Sequence, residues 1–511
     1  MLSVVKSSAT YGLKAVEIDV EVNVADKGFP GFSVVGMPSK AVDEARERVK
    51  TALTNSDIEF PMAKITVNLA PADIPKEGSF YDLPIAVGIM SASCDIKIPT
   101  SAYFYGELSL DGSLRHTKGV FLLALLAKEN NIKNIFVPRM SANEAATITG
   151  INIFPVDSLK NLIMHLRGKK TIDPLTSVRQ DLSEEFVSPE FDFSEIIGQE
   201  FAKRALEIAA AGGHNLLMMG PPGAGKTMLA RAVPGILPPL TEEESLEVTK
   251  IFSITGNIPP GGCLIRQRPF MWPHHTTSIV GLVGGGPIPR PGQISMAHRG
   301  VLFLDEFPEF SRKALESMRQ PLEDGIVSIS RASGSVSFPA KFMLIAAANP
   351  CPCGFLGDPK HECKCGLAQI DRYQKKLSGP IMDRIDLHLT VPAVEVEKLI
   401  KNNSIGRTEK SESVRLRVKQ ARNLQLKRFE AEDGIVCNAD MKNKQIKKYI
   451  KLDNPSSLLL KMAVNKYGLS ARTYFRMIKV SRTIADLDNS QHILEKHVAE
   501  ALQYRLKINV D

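Results

Sequence analysis

The stretch GPPGAGKT at 220–227 constrains the fold more than any other feature of the chain. It satisfies the pattern G-x-x-x-x-G-K-[S/T], follows the apolar run NLLMM and leads into the helix-like MLARAV. A strand, a glycine-rich turn and a helix in that order make a phosphate cradle. Gly220, Gly223 and Gly225 free backbone N–H groups to wrap the oxyanions, with Pro221, Pro222 and Ala224 completing the turn. Lys226 reaches the β and γ oxygens of ATP, and the Thr227 hydroxyl ligates Mg²⁺.

Other segments add the parts that such a cradle needs for hydrolysis. VLFLDEF at 301–307 is an apolar strand that delivers Asp305 to the magnesium and sets Glu306 to polarise the attacking water. MLIAAAN at 343–349 is a strand ending in Asn349, suited to orienting that water. Arg384, in SGPIMDRID, is a candidate arginine finger offered to the γ-phosphate of a neighbouring subunit. Arg472, in LSART, is a candidate to close over the same phosphate. For both arginines a surface salt bridge is the alternative.

At 511 residues the chain exceeds what one hydrophobic core serves and implies about three domains. Residues 1–167 alternate strand and helix signals: EIDVEVNV and KITVNLAP read as strands, SKAVDEARERVKTALTNS as an amphipathic helix, and Asp111-Gly112 as a hairpin turn. The polar stretch 168–192 reads as a linker. A nucleotide-binding α/β domain is expected over 193–400, a second linker over 401–413 and a helical domain over 414–511. The longest apolar run, VFLLALLA, is too short to cross a bilayer, and the opening MLSVVKSSAT lacks a signal-peptide pattern. Both predict a cytoplasmic protein with no membrane association. A net charge of +8 permits nucleic-acid binding without requiring it.

Four of the seven cysteines fall in CPCGFLGDPKHECKC at 351–365. Cys351, Cys353, Cys363 and Cys365 form two C-x-C pairs, and four thiolates complete a closed tetrahedral Zn²⁺ site. His361 is an alternative ligand, and a free-thiol cluster or a regulatory disulfide the alternative chemistry. A loop with so little apolar content gains from a metal clip, because burial alone cannot fix it. Cys94, Cys263 and Cys437 are isolated and read as buried thiols.

IIGQEFAKRALEIAAAGGHNLLMMGPPGAGKT, HRGVLFLDEFPEF, AAANPCPCG, SGPIMDRIDLH and LSARTYFRMIKVSRTIADL together resemble the magnesium-chelatase-like AAA+ ATPases of the YifB/ComM family. The resemblance spans essentially the whole chain. It implies a homohexameric ring with Lys226, Asp305, Glu306, Asn349, Arg384 and Arg472 in the roles given above. It also implies a helical lid at the C-terminus and an ATP-driven motor acting on single-stranded or branched DNA in homologous recombination or natural transformation, with recombination proteins as further partners. A magnesium-chelatase motor subunit and a protein-remodelling ATPase are the alternatives. Residues 262–298 read as a flexible, pore-facing loop, and VSISRASGSVSF at 327–338 as a hairpin that brings Arg331 to a DNA backbone; a solvent-facing turn is the alternative.

The first domain resembles the proteolytic domain of Lon-type proteases through PKEGSFYDLPIAVGIM and GELSLDG. Those enzymes pair a serine with a lysine. Here Phe80 occupies the matching serine position, Ser79 lies one residue early, and Lys118 is out of register. A structural or substrate-guiding module is expected, not a peptidase.

Overall fold

The computed structural model describes the chain except for residues 26–28, 95, 176–189, 259–263, 287–288, 332–333, 359–360, 378, 394–408 and 506–511. Cys263, most of both expected linkers and the two residues at the tip of the 327–338 hairpin lie outside the described residues. Two compact units emerge. One combines Met1–Glu184 with Thr241–Arg266, and the other combines Glu185–Leu240 with Gln267–Asp511.

The first unit is built on a seven-stranded mixed sheet. Its strands, from one edge to the other, are Gly31–Val35, Lys64–Ala70, Lys14–Ala25, Leu2–Tyr11, Ala102–Phe104, Asn134–Pro138 and Asn152–Val156. Alternation along Lys14–Ala25 turns Ile18, Val20, Val22 and Val24 to the core, beneath the almost wholly buried helix Asp82–Cys94. The Asp111-Gly112 turn closes the short hairpin Glu107–Leu108 with Leu114–Arg115, as expected, with Gly112 in the left-handed region at φ 83°.

The second unit carries a five-stranded parallel sheet. Its edge-to-edge order is Phe270–Met271, Val301–Leu304, Met343–Ala348, Leu216–Met219 and Leu387–Thr390. Leu216–Met219 is fully buried and pairs with Met343–Ala348 on one side and Leu387–Thr390 on the other. Such a run of buried residues is what a parallel strand covered on both faces requires. Helices Ser411–Arg428, Asn443–Tyr449, Asn454–Tyr467, Ala471–Leu487 and Glu495–Gln503 follow. They confirm the helical C-terminal region. Val414, Val418, Met477 and Ile484 join the same apolar core as Leu216 and Ile345, so these helices share one unit with the sheet.

Two sequence expectations change, and one strand carried no readable pattern. Helix Glu242–Thr255 belongs to the first unit although it lies between the two nucleotide motifs in sequence. Its start was legible: Thr241 and Glu244 form a capping box, and Gly256 ends the helix in the left-handed region. Strand Leu2–Tyr11 escapes the apolar-polar pattern because Ser3 and Ser7 share a buried face with Val5 and Ala9, while Ser8 is buried on the opposite face. The described part of 262–298 is not a plain flexible loop. It contains helices Ile279–Val283 and Gln293–Met296 and a short antiparallel pair, Gly284–Gly285 with Arg290–Pro291.

Candidate functional site

The carboxyl ends of three neighbouring strands bring the ATP-site residues together. The loop 220–227 leaves Met219, Asp305 follows Leu304 and Asn349 follows Ala348. This is the edge at which open α/β sheets bind ligands. Gly223 and Gly225 have φ 76° and 86°, backbone that turns N–H groups inward at no steric cost. Gly220 is required by packing: a Cβ there would stand 2.1 Å from the Val391 carbonyl oxygen. Lys226 is buried, and its Nζ donates to the carbonyls of Gly220 (2.7 Å) and Pro221 (2.9 Å) and to Asn349 Oδ1 (3.1 Å). Burial lowers its pKa, against an opposing pull from Asp305. Thr227 Oγ1 donates to Asp305 Oδ2 at 2.7 Å, so the two expected magnesium ligands already face each other. The donor set fits ATP with Mg²⁺.

Glu306 adopts φ 51°, a left-handed conformation that costs a glutamate energy and persists where function holds it. His275 Nδ1 lies 3.0 Å from its Oε2. The sequence reading missed this residue; its signal was the paired His274-His275 after the apolar PFMW.

Arg384 and Arg472 lie at the other end of the sheet. Arg384 precedes strand Leu387–Thr390, and its carbonyl accepts from Asn215 Nδ2 at 3.0 Å, beside the start of the phosphate-loop strand. A four-residue strand spans about 13 Å, which separates Arg384 from the loop of its own chain. Arg384 donates to the Glu323 carboxylate and to the Pro380 carbonyl. The bond and charge of Arg384 hold Glu323 below the usual carboxylate range, with Arg472 and Arg476 adding to the effect. One turn along helix Ala471–Leu487, Arg476 binds Asp386 at 2.6 Å. Burial pushes Asp386 up, but Arg476 and His214 outweigh it and keep the carboxyl well below its usual range. Both arginines therefore gather at the amino ends of the strands, with Glu323 between them, a residue that carried no sequence signal.

The four cysteine sulfurs lie within 4.8 Å of one another. Cys351–Cys353 measures 3.4 Å, and Cys351–Cys363 and Cys353–Cys363 each measure 3.6 Å. Tetrahedral Zn²⁺ with Zn–S bonds of about 2.3 Å needs sulfurs about 3.8 Å apart, so the set fits a metal far better than two disulfides. The backbone N–H of Cys353 points to Cys365 Sγ at 3.4 Å, and a bond from the Phe355 N–H draws Cys353 down to about 6. His361 is not in the cluster: it packs on Phe355 with ring centroids 4.9 Å apart and sits near Asp358.

Strands Ile326–Arg331 and Gly334–Pro339 pair as the expected hairpin, with Arg331 exposed opposite Gly334. A Cβ on Gly285 would lie 3.5 Å from Arg331 Nη2, and Gly285 pairs with exposed Arg290. The two short hairpins thus bring a second arginine, unanticipated from sequence, next to the first.

In the first unit, Phe80 stacks on Tyr105 with centroids 4.4 Å apart. Ser79 Oγ donates to the Glu107 carboxylate, and Lys118 Nζ donates to the Thr255 carbonyl at 3.2 Å. Neither residue meets the other, so they form no serine–lysine pair.

Three family models match the chain: "Magnesium chelatase, subunit ChlI" over residues 192–399, "Subunit ChlI of Mg-chelatase" over 20–141, and "Magnesium chelatase, subunit ChlI C-terminal" over 408–505. Competence protein ComM of Haemophilus influenzae is 43% identical, covering 100% of this chain and 98% of its own. The uncharacterized protein YifB of Escherichia coli is 42% identical over 99% of this chain and 97% of its own. The magnesium-chelatase subunit ChlI of Olisthodiscus luteus is 24% identical over 41% of this chain and 59% of its own.

Proposed function

The chain belongs to the magnesium-chelatase-like AAA+ ATPase family that includes ComM and YifB, and from that premise we propose that it is a homohexameric motor coupling ATP hydrolysis to the remodelling of branched DNA. The observation that carries this reading is the separation of two half-sites across one sheet. Lys226, Thr227, Asp305, Glu306 and Asn349 stand at the carboxyl ends, and Arg384 and Arg472 at the amino ends. Within one chain, Arg384 and Arg472 stand at the far end of the sheet from the phosphate loop. In a ring each subunit receives Arg384 and Arg472 from its neighbour, and hydrolysis becomes sensitive to the geometry between subunits.

Gly220–Thr227 hold the phosphates, and Lys226 leaves its loop carbonyls for the β and γ oxygens. Magnesium bound by Thr227 and Asp305 supplies charge neutralisation. Glu306 accepts the proton of the attacking water, which Asn349 orients. His275 holds the Glu306 carboxylate until that step. Glu323 holds Arg384 until the neighbour's phosphate competes for it.

DNA is the proposed cargo because Arg290 and Arg331 stand exposed on two hairpins that meet at Gly285, where two cationic side chains suit a phosphate backbone. The name of the competence relative supports a role in competence, which we read as work on incoming DNA. The cysteine clip is read as a structural Zn²⁺ site. ATPase rate measured without DNA and with single-stranded, duplex and branched DNA tests the proposal. The expected result is stimulation that is largest with branched DNA. No stimulation, with no salt-sensitive DNA binding, would replace the reading with protein remodelling.

A further inference from the structure

The cysteine clip does more than close a loop. Cys351 follows Asn349 by two residues, so the first thiolate lies at most about 7 Å along the chain from the residue that Lys226 contacts. On the far side of that thiolate, Gly354 rests against the phosphate loop. A Cβ on it would meet Pro222 Cδ at 2.5 Å and Cγ at 2.7 Å, an approach only glycine permits. Helix Leu367–Gln374, which leaves the clip after Cys365, returns to the same place. Gln374 Nε2 donates to the Pro350 carbonyl at 3.3 Å, and the Asn349 N–H bonds the Tyr373 hydroxyl. The segment that carries the four thiols therefore touches the nucleotide site at Asn349 and at Pro222.

From this placement we propose that the clip is an allosteric metal site: a thiolate-bound divalent cation and the nucleotide in the 220–227 loop each strengthen the binding of the other. The inference rests on the zinc reading given above. The cation ties Cys351 and Cys353 to Cys363 and Cys365, which fixes the backbone on both sides of Pro350. Fixed there, Asn349 stays within reach of Lys226 and Gly354 keeps Pro222 in place. Release of the cation frees both contacts, and the loop loses its support. Linkage makes the effect reciprocal. Filling the phosphate loop must tighten the metal site by the same factor as the metal tightens nucleotide binding.

The test uses full-length protein carrying Glu306→Gln, so that ATP is held without turnover. Zinc affinity is measured at equilibrium by competition against a chromogenic chelator, with and without saturating Mg-ATP. A fluorescent ATP analogue is then titrated into the zinc-loaded and zinc-stripped protein. The expected coupling is roughly 5-fold or more in both directions, with equal factors. Pro222→Gly keeps all four thiols but removes the ring that Gly354 meets, so the factor should fall toward one at unchanged zinc content. Stoichiometric zinc with the same affinity in the presence and absence of Mg-ATP overturns the coupling and leaves the structural metal site standing. Protein that binds no zinc at all overturns the metal reading itself. A coupling factor unchanged in Pro222→Gly overturns the route through the phosphate loop.

Discussion

The chain holds two glycine-containing loops next to buried strands, and they have opposite fates. In 220–227 the groups that the sequence singled out meet one another: Lys226 on Asn349 and the loop carbonyls, and Thr227 on Asp305. In 75–80 of the first unit the sequence alone suggests the segment that carries the serine of Lon-type proteases. Phe80, however, fills the serine's position and stacks on Tyr105, while Ser79 faces the acid Glu107 instead of a base. An aromatic ring stabilises the fold through apolar contact but leaves no nucleophile. A scaffold can be kept for its shape after its chemistry has gone, so a fold alone does not assign activity.

The contrast breaks most sharply at the ATP site. Arg384→Ala should lower kcat on the order of 10³-fold, because Arg472 closes over the same phosphate without supplying the finger's own contact. Mixed with Lys226→Ala subunits, it should recover part of the rate: the Lys226→Ala subunit still offers its finger to an intact neighbouring loop. ATPase assays of such mixtures with no recovery would return Arg384 to its own subunit. Glu306→Gln should lower hydrolysis about 10²-fold and leave ATP binding near wild type, measured by nucleotide titration. Ser79→Ala should change neither ATPase nor proteolysis of an unfolded substrate beyond about twofold. Cleavage that Ser79→Ala abolishes would put the two loops on an equal footing.

The smallest effect concerns stability. Burial pushes Glu144 in the first unit up to about 7 from 4.5, against bonds from Ser253 and the Phe121 N–H that pull it back. A raised acid favours the folded state while protonated. Its contribution is complete below the unfolded pKa of 4.5 and is lost as pH rises through about 7. Thermal melts of the full chain should show the first unit losing a few degrees across that window, and Glu144→Gln should flatten the slope. A wild-type melt without pH dependence there would show that Glu144 titrates normally.

The ATP site was legible because its motifs are contiguous and each sits at a strand end, where one local pattern fixes both structure and chemistry. The α/β character of the first unit was legible in the same way, since its strand and helix segments alternate along the chain. The grouping of Arg384, Arg472 and Glu323 was not. Three distant segments meet there through helix packing, which periodicity cannot register. The placement of helix Glu242–Thr255 in the first unit was equally hidden, although its capping box was readable. The approach of Gly285, the register partner of Arg290, to Arg331 depends on two hairpins adjoining in space, and the glycines of that insertion read only as a loop.

The central claim is that ATP hydrolysis moves branched DNA, and strand exchange on a synthetic four-way junction tests it most directly. With Mg-ATP, wild-type protein should move the branch point, and Glu306→Gln should not. Arg331→Ala should keep its basal ATPase, move the junction poorly, and show a salt dependence of DNA binding flatter by about one unit, the loss of one phosphate contact. Wild-type protein that assembles and hydrolyses ATP but leaves every junction unchanged would contradict the account.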